Sequence, residues 1–258
     1  MAFTLITGAS SGIGFELSHQ FAQNGHDLIL AARSEEVLKD LADTLRKKYS
    51  RTVHVVRADL SQAKECLKLY DYCQENSLEV DNLVNNAGIG DVSAFADSDW
   101  KKQETMIHLN IESLTRLSHL FLPDFIKRGR GGILNVASTA AFQPGPYMAV
   151  YYASKSFVLS FSLALSEELK ETGVHVTALC PGPTESGFQK TANMQKSLAF
   201  KLMKVPTSAD VAEYGYKAFK NKKPLAVHGS MNKVMTSTVG LLPNSFLLKV
   251  VKKLNAGR

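Results

Sequence analysis

The sequence predicts an α/β fold: a doubly wound parallel sheet of about seven strands with helices on both faces. Short apolar runs of strand length alternate with longer stretches of helical periodicity along most of the chain. A glycine-rich turn, Thr7-Gly-Ala-Ser-Ser-Gly-Ile-Gly14, follows the first apolar run, and no Pro/Gly/Ser-rich linker interrupts the 258 residues. We therefore expect a single domain over residues 1–258.

Each apolar run is assigned to one strand. The predicted strands are 3–7, 27–32, 52–57, 82–85, 132–138, 175–180 and 225–228. The predicted helices lie near 12–24, 35–48, 62–76, 99–128, 150–172 and 208–220. The first helix carries an apolar stripe that includes Leu17 and Phe21, and it stops at Asn24-Gly25, a common left-handed C-terminal pair. Because crossovers between parallel strands are right-handed, we expect the order 3-2-1-4-5-6-7.

The composition, 45% apolar and 21% charged, is that of a packed globular protein. Cys66, Cys73 and Cys180 are odd in number and lack CxxC spacing, so we expect reduced thiols, with Cys180 buried at a strand end. The seven histidines are dispersed, and no catalytic metal is expected. The first strand begins near residue 3, which leaves no room for a signal peptide, and we expect a cytoplasmic protein.

The net charge of +6 belongs to the C-terminal part of the chain. Residues 190–258 contain thirteen Lys or Arg against only Asp210 and Glu213. Residues 229–258 form a basic and apolar extension that is too interrupted to span a bilayer. Docking of this extension on the protein's own surface or on a subunit is one interpretation, and contact with a membrane or an acidic partner is the other. Nucleic-acid binding is not expected, because no aromatic-interleaved basic patch is present.

The glycine-rich turn predicts a dinucleotide site. Gly8, Gly12 and Gly14 stand between the first strand and the first helix, where small residues let backbone approach a pyrophosphate at the helix N-terminus. The spacing is GxxxGxG rather than GxGxxG, and an ordinary strand-to-helix turn is the alternative.

Residues at the ends of the next strands predict which nucleotide cofactor binds and which of its groups they contact. Arg33 follows the second strand without a neighbouring carboxylate and favours NADP(H) over NAD(H), unless it is simply a solvated surface residue. Asp59 accepts from the adenine amine or caps the following helix. In Asn85-Asn-Ala-Gly88, the small Ala87-Gly88 pair allows a ribose to pass, whereas the asparagines bind the nucleotide or brace neighbouring strands.

Tyr151 and Lys155 are four residues apart and share a helix face. A free phenol has a pKa of about 10, and we expect the lysine charge to lower it so that Tyr151 exchanges a proton with substrate. Ser138, at the end of the fifth strand, is placed to hydrogen-bond a substrate oxygen. A Tyr/Lys pair alone is usually structural, but here it follows a strand-end serine and a dinucleotide turn. Tyr152, three residues before Lys155, is the alternative tyrosine for this role, but the fuller pattern selects Tyr151.

These motifs, in this order, resemble the short-chain dehydrogenase/reductase family with its Rossmann fold, over about residues 2–230. Thr7–Gly14 is similar to TGxxxGxG, 85–88 to NNAG, Tyr151 with Lys155 to YxxxK, and Pro181-Gly-Pro-Thr184 to the motif beside the nicotinamide. The resemblance implies a catalytic tetrad of Asn110, Ser138, Tyr151 and Lys155. The chain has Ser11 where NADP-dependent members often have a basic residue, so cofactor choice depends on Arg33.

With the resemblance, the candidate cofactor-binding residues form one set along the carboxyl edge of the sheet. They are Gly8, Ser10, Ser11, Gly12, Ile13, Gly14, Arg33, Asp59, Leu60, Asn86, Ala87, Gly88, Tyr151, Lys155, Pro181, Gly182 and Thr184. Many members form dimers or tetramers through the two helices beside the active site, and by analogy helices 99–128 and 150–172 are expected to form a homodimer or homotetramer interface.

The expected activity is hydride transfer between NADP(H) and an apolar carbonyl or secondary alcohol. Segment 185–206 has no clear period and is predicted to be a substrate lid. Phe142, Tyr147 and, in the lid, Phe188 are the candidate substrate residues. A 3-oxoacyl-thioester reductase acting on an acidic carrier protein is one alternative. A sensor or scaffold that binds NADP(H) without turnover is an alternative of another class.

Overall fold

The computed structural model describes residues 2–185, Gly187 and 205–256. The described strands are β1 (Phe3–Thr7), β2 (Asp27–Ala32), β3 (Val53–Arg57), β4 (Val80–Asn85), β5 (Gly131–Val136), β6 (Val174–Cys180) and β7 (Leu225–Val227). They form one parallel sheet in the order β3-β2-β1-β4-β5-β6-β7. The predicted fold class and strand order are confirmed.

The described helices are α1 (Gly12–Gln23), α2 (Glu35–Tyr49), α3 (Ala63–Glu75), α4 (Trp100–Ile107), α5 (Leu114–Arg128), α6 (Ala149–Glu168), α7 (Ser208–Lys220), α8 (Ser230–Thr238) and α9 (Asn244–Ala256). None of them has the length and apolar character needed to cross a bilayer. The segment predicted as one helix over 99–128 is helical from Trp100 to Arg128, but a π-helical turn, His108–Ser113, divides it into α4 and α5. Strand β5 ends at Val136, two residues earlier than predicted, because Ser138 begins the short 3₁₀ helix Thr139–Phe142.

Two apolar cores lie on opposite faces of the sheet. Successive side chains of β2 alternate between them: Leu28 and Leu30 belong to the core under α1, α2 and α7, while Ile29 and Ala31 belong to the core under α3, α5 and α6. Strands covered on both faces are apolar at nearly every position, which is why their runs were recognisable in the sequence.

The order of the strands places a crevice above β1 and β4. These neighbours are paired, and the chain leaves them in opposite directions along the sheet, so their carboxyl ends form a topological switch point. Thr7 fixes this junction, since its Oγ1 donates to Val84 O (3.1 Å) and accepts from Asn86 N (3.0 Å) and Ala87 N (3.1 Å).

The C-terminal extension forms α8 and α9, which the sequence did not predict as helices. Val239, Leu247 and Val251 form a small buried cluster against Phe142 and Tyr152. The inner face of the extension therefore packs on the protein's own surface. Most of segment 185–206, the predicted lid, lies outside the described residues, but its two ends meet, because Glu185 N donates to Pro206 O (2.9 Å).

Candidate active site

The glycine-rich turn joins β1 to α1 and is held tightly against the end of β4. Gly8 has φ +66°, and a Cβ there would lie 2.9 Å from Ala87 Cα, while a Cβ on Gly14 would collide with the Gly8 carbonyl. Asn86 Nδ2 donates to Thr7 O (2.9 Å) and Gly8 O (3.2 Å). The turn is thus fixed at the N-terminus of α1, where unpaired N–H groups favour an anion.

Both asparagines of the Asn85-Asn86 pair make bracing contacts. Asn85 is buried, and its Nδ2 donates to Asn135 Oδ1 (2.9 Å) and Ser118 Oγ (3.1 Å), which ties β4 to β5 and α5. Asn86 both holds the glycine-rich turn and lines the crevice. The hydrogen bonds of Asn85 thus brace neighbouring elements, whereas Asn86 both braces the turn and lines the crevice.

Arg33 and Asp59 stand at the end of the crevice above β2 and β3. Arg33 is exposed, lines the crevice, and forms no ion pair with any residue that the structure describes. Asp59 Oδ1 accepts from Ser61 N (3.2 Å) and Ser61 Oγ (2.8 Å). Because α3 begins only at Ala63, Asp59 stabilises the turn before the helix rather than capping the helix, and its neighbour Leu60 lines the crevice with it.

The structure brings Ser138, Tyr151 and Lys155 together in the middle of the crevice. The Lys155 ammonium lies 5.9 Å from the centre of the Tyr151 ring, one helical turn away on α6. Ser138 Oγ accepts from Ala140 N (3.1 Å) and donates to Pro181 O (3.4 Å), and the Ser138 hydroxyl is near enough to Tyr151 to lower the pKa of its phenol. Lys155 is only 6% exposed, and its Nζ donates to Val136 O (2.8 Å).

Burial shifts the two titratable groups in opposite directions. It raises the pKa of the Tyr151 phenol to about 12, and the hydrogen bond from Ser138 opposes that rise. It lowers the pKa of the Lys155 ammonium to about 8. The predicted lowering of the Tyr151 pKa is therefore wrong for the groups that this chain supplies, because desolvation outweighs the opposing effect of the Ser138 hydroxyl. At neutral pH Tyr151 holds its proton and can act as a proton donor.

Asn110 is placed behind the crevice rather than in its wall. It belongs to the π-helical turn between α4 and α5, and it is 1% exposed. Its Nδ2 donates to Ile89 O (2.9 Å) and Ser154 Oγ (3.0 Å), and its Oδ1 accepts from Ile89 N (3.0 Å). A Cβ on Gly88 would lie 3.1 Å from Asn110 Oδ1 and 3.5 Å from Lys155 Nζ, so Asn110 supports the backbone beside the lysine.

The remaining wall of the crevice comes from the loop after β6 and from the C-terminal extension. Pro181, Gly182 and Thr184 line it as predicted, and a Cβ on Gly182 would collide with Asn232 of α8. Sequence reasoning did not assign Asn255 to the wall, because nothing in the sequence showed that α9 returns to the site. Asn255 Nδ2 donates to Pro146 O (2.9 Å), and its Oδ1 lies 3.5 Å from Tyr152 Oη.

Two of the predicted substrate residues lie elsewhere. Phe142 packs against the buried cluster of α9 and lines a separate cavity of about 600 Å³. Tyr147 has a left-handed backbone (φ +66°), lies under Lys252 of α9, and borders a small pocket with Phe95. In both cases α9, which was not predicted, contacts the side chain. Phe188 lies outside the described residues.

One cavity of about 470 Å³, a volume usual for small-molecule sites, unites these groups. Of the predicted catalytic and cofactor residues it includes all but Gly14 and Asn110. It also includes residues that the sequence did not single out for the site: Leu109, Thr139, Met148, Tyr152 and Asn255. Among the described residues, no group of three His, Cys, Asp or Glu is placed to hold a metal ion. The three cysteines are free and buried, Cys180 at the end of β6 as expected.

Known proteins with the same pattern were identified by sequence and by structure. The sulfoacetaldehyde reductase 2 of Chromohalobacter salexigens is 40% identical over 186 residues, 71% of this chain and 73% of that protein. A short-chain dehydrogenase from Sphingobium yanoikuyae in complex with NADPH is 30% identical, with a TM-score of 0.83 over 93% of this chain and 95% of that one. The bulky-bulky ketone specific alcohol dehydrogenase from Comamonas testosteroni is 30% identical, with a TM-score of 0.78 over 93% of both chains.

A family profile described as short chain dehydrogenase matches residues 2–197, which include the glycine-rich turn, Ser138, Tyr151 and Lys155. Together with the confirmed strand order, this match shows that the chain belongs to the short-chain dehydrogenase family of oxidoreductases.

Proposed function

We propose that this protein is an NADP(H)-dependent oxidoreductase that transfers a hydride between the nicotinamide and a carbonyl or secondary alcohol. One observation carries the proposal: Ser138, Tyr151 and Lys155 share a single cavity with the glycine-rich turn and Arg33. A proton donor, an oxygen-binding hydroxyl and a dinucleotide cradle are the parts that this reaction needs.

The residues present fit a nicotinamide dinucleotide. The backbone of the turn is too close to β4 for any side chain on Gly8, which leaves N–H groups of α1 for the pyrophosphate. Arg33, which is exposed and without an ion-pair partner among the described residues, suits the 2′-phosphate of NADP(H). Ala87, Gly88 and the loop at Gly182 would hold the ribose and the nicotinamide. When bound, the nicotinamide supplies or accepts the hydride.

The chain's own groups handle the oxygen and the proton. Ser138 and Tyr151 line the same cavity and the Ser138 hydroxyl influences the Tyr151 phenol, so one substrate oxygen can be reached by both. As the oxygen gains negative charge, Tyr151 donates its proton, and the Lys155 ammonium stabilises the phenolate that remains. Because the phenol holds its proton at neutral pH, the site is then in the protonation state from which carbonyl reduction begins.

The substrate end of the cavity suits an apolar carbonyl compound. Ala140, Met148 and Tyr152 supply apolar and aromatic surface next to Ser138, while Gln143 and Asn255 add two amides. A ketone with apolar groups on both sides fits this arrangement, and the similarity to the Comamonas testosteroni enzyme supports that substrate class.

A direct test is NADPH consumption with a panel of ketones and aldehydes. We expect turnover, and we expect Tyr151→Phe to lower kcat by about 10²- to 10⁴-fold, because the phenol proton is lost while the ring remains. Tyr152→Phe, which removes the neighbouring hydroxyl but keeps the aromatic surface at the substrate end, is the matched variant and should lower kcat far less than Tyr151→Phe. Equal activity of the wild-type protein and Tyr151→Phe would refute the assignment. NADPH binding without turnover of any carbonyl would favour the sensor alternative.

Cofactor choice is tested by titrating the wild-type protein with NADPH and NADH. We expect Arg33→Ser to weaken NADPH binding about tenfold or more and to leave NADH binding unchanged, because only NADPH has the 2′-phosphate. Arg57→Ser, at the end of β3, removes an equal charge from another exposed strand end and is the control. Wild-type protein that binds both cofactors equally would contradict the preference.

A further inference from the structure

The outer faces of α8 and α9 carry a group of exposed apolar side chains. Leu241 is 83% exposed, Met231 68%, Val234 61% and Phe246 56%. Met231, Val234 and Met235 have the spacing of one face of α8. We call the set of Met231, Val234, Met235, Leu241, Leu242 and Phe246 the α8–α9 surface. Exposed apolar residues this concentrated indicate a binding surface.

The same segment is basic without any acidic residue. Residues 221–256 contain six lysines and neither Asp nor Glu. Lys249 and Lys253 are exposed one helical turn apart on α9, and no lysine of this segment forms an ion pair with a described carboxylate. Elsewhere, several exposed lysines do have such partners, as Lys217 has Glu213.

We propose that the α8–α9 surface docks the protein on an anionic lipid bilayer. Apolar side chains beside unpaired lysines are the combination that binds the boundary between acyl chains and negatively charged headgroups. In a two-fold symmetric contact, a second copy would add its own six lysines and no acidic residue from this segment to the same interface, which like charge opposes. An acidic protein would complement the charge, but the exposed apolar side chains Leu241, Leu242 and Phe246 favour the acyl-chain boundary of a bilayer.

The position of this surface relates the membrane to the cavity. The buried residues Leu247 and Val251 of α9 pack on Phe142 and Tyr152, and Asn255 of the same helix lines the cavity. Phe246, on the exposed side of the same helix, belongs to the α8–α9 surface. The bound bilayer would therefore lie on the outer side of a helix whose inner side closes the substrate end of the site.

The test is co-sedimentation of the full-length protein with vesicles of phosphatidylglycerol and phosphatidylcholine in equal parts, or of phosphatidylcholine alone. We expect binding to the anionic vesicles that weakens with added salt. Lys249→Gln with Lys253→Gln should weaken it about 30-fold, which corresponds to about 2 kcal/mol. Lys47→Gln with Lys48→Gln on α2 changes the net charge equally at exposed positions and should bind like the wild-type protein.

The apolar part is tested with Leu242→Ser and Phe246→Ser together, against Val37→Ser and Leu67→Ser on α2 and α3 as controls. We expect only the first pair to abolish vesicle binding. Failure of the wild-type protein to bind anionic vesicles, or equal losses in both lysine pairs, would overturn the proposal. The proposal would also be overturned if the double change Leu242→Ser with Phe246→Ser dissociated a dimer in sedimentation velocity but left vesicle binding unchanged. Binding of an acidic acyl carrier protein to this surface, without binding of vesicles, would overturn it as well. If a variant fails to fold, the effect of salt on vesicle binding by the wild-type protein still tests the proposal, because binding that does not weaken with salt would contradict the role of the lysines.

Discussion

At the scale of residues, a single cause gives Tyr151 and Lys155 complementary states. Burial penalises charge, so it raises the pKa of the phenol to about 12 and lowers that of the ammonium to about 8. At neutral pH the tyrosine is protonated and the lysine charged. This is the pair of states from which a proton can be donated and the resulting phenolate stabilised.

The first prediction concerns the pH dependence of carbonyl reduction. The Lys155 ammonium is present below its pKa of about 8 and is lost above it, so kcat should fall about tenfold per pH unit above pH 8. The measurement is kcat at saturating NADPH and ketone from pH 6 to pH 10. Lys155→Arg keeps its charge throughout this range, and if active it should lack the fall near pH 8. A wild-type profile that is flat through pH 9 would contradict the role given to Lys155.

At the scale of elements, motifs were easier to predict than the interruptions between them. The turn after β1 and the Tyr/Lys pair on α6 depend on local spacing, which the sequence shows directly. The π-helical turn at His108–Ser113 adds one residue to a helical circuit without any residue type that signals it. A continuous apolar period therefore predicted one helix over 99–128, and it could not show that Asn110 lies behind Ile89 rather than in the cavity wall.

The second prediction distinguishes backbone conformation from close packing in the turn. Gly8 and Gly25 both have positive φ, +66° and +95°, but only Gly8 would place a Cβ against other atoms, since nothing lies within 4 Å of a Cβ on Gly25. Each change to Ala should lower the free energy of unfolding by about 1 kcal/mol for conformational reasons. Gly8→Ala should lower the free energy of unfolding by more than this, because its Cβ meets other atoms, and it should weaken NADPH binding at least about tenfold. Equal stability and equal NADPH affinity of the two variants, measured by denaturation and titration, would contradict the close packing of the turn.

At the scale of the whole molecule, the strand order was predictable because handedness leaves few ways to arrange parallel strands. The C-terminal extension was not, because its helices are short and Pro243 interrupts their pattern. Its contacts with Pro146 and Tyr152 join residues about a hundred positions apart. The sequence composition showed the charge of the extension but not where it packs. For this reason α9 was not predicted to line the cavity, although its residue Asn255 does.

The third prediction concerns the stability of the whole protein in mild acid. Burial lowers the pKa of His175 on β6 to about 4, and it also lowers the pKa values of His19, His26, His54 and His228. Between about pH 4 and the ordinary histidine value of about 6.5, the unfolded chain binds more protons than the folded one. The free energy of unfolding should therefore rise as the pH increases through this window, and the contribution of these histidines to it should disappear as the pH falls to about 4.

For His175 alone we expect about 2 kcal/mol across the window, less than the full shift implies because the ring is partly screened by solvent. Urea denaturation at intervals from pH 4 to pH 7 measures the slope. His175→Gln removes the ring with the largest shift and should make the slope shallower, whereas His119→Gln, at an exposed position on α5, should not. If both variants kept the wild-type slope, His175, whose ring lies beside Phe219, would play no part in the acid sensitivity, which would have to come from the other histidines or from carboxylates.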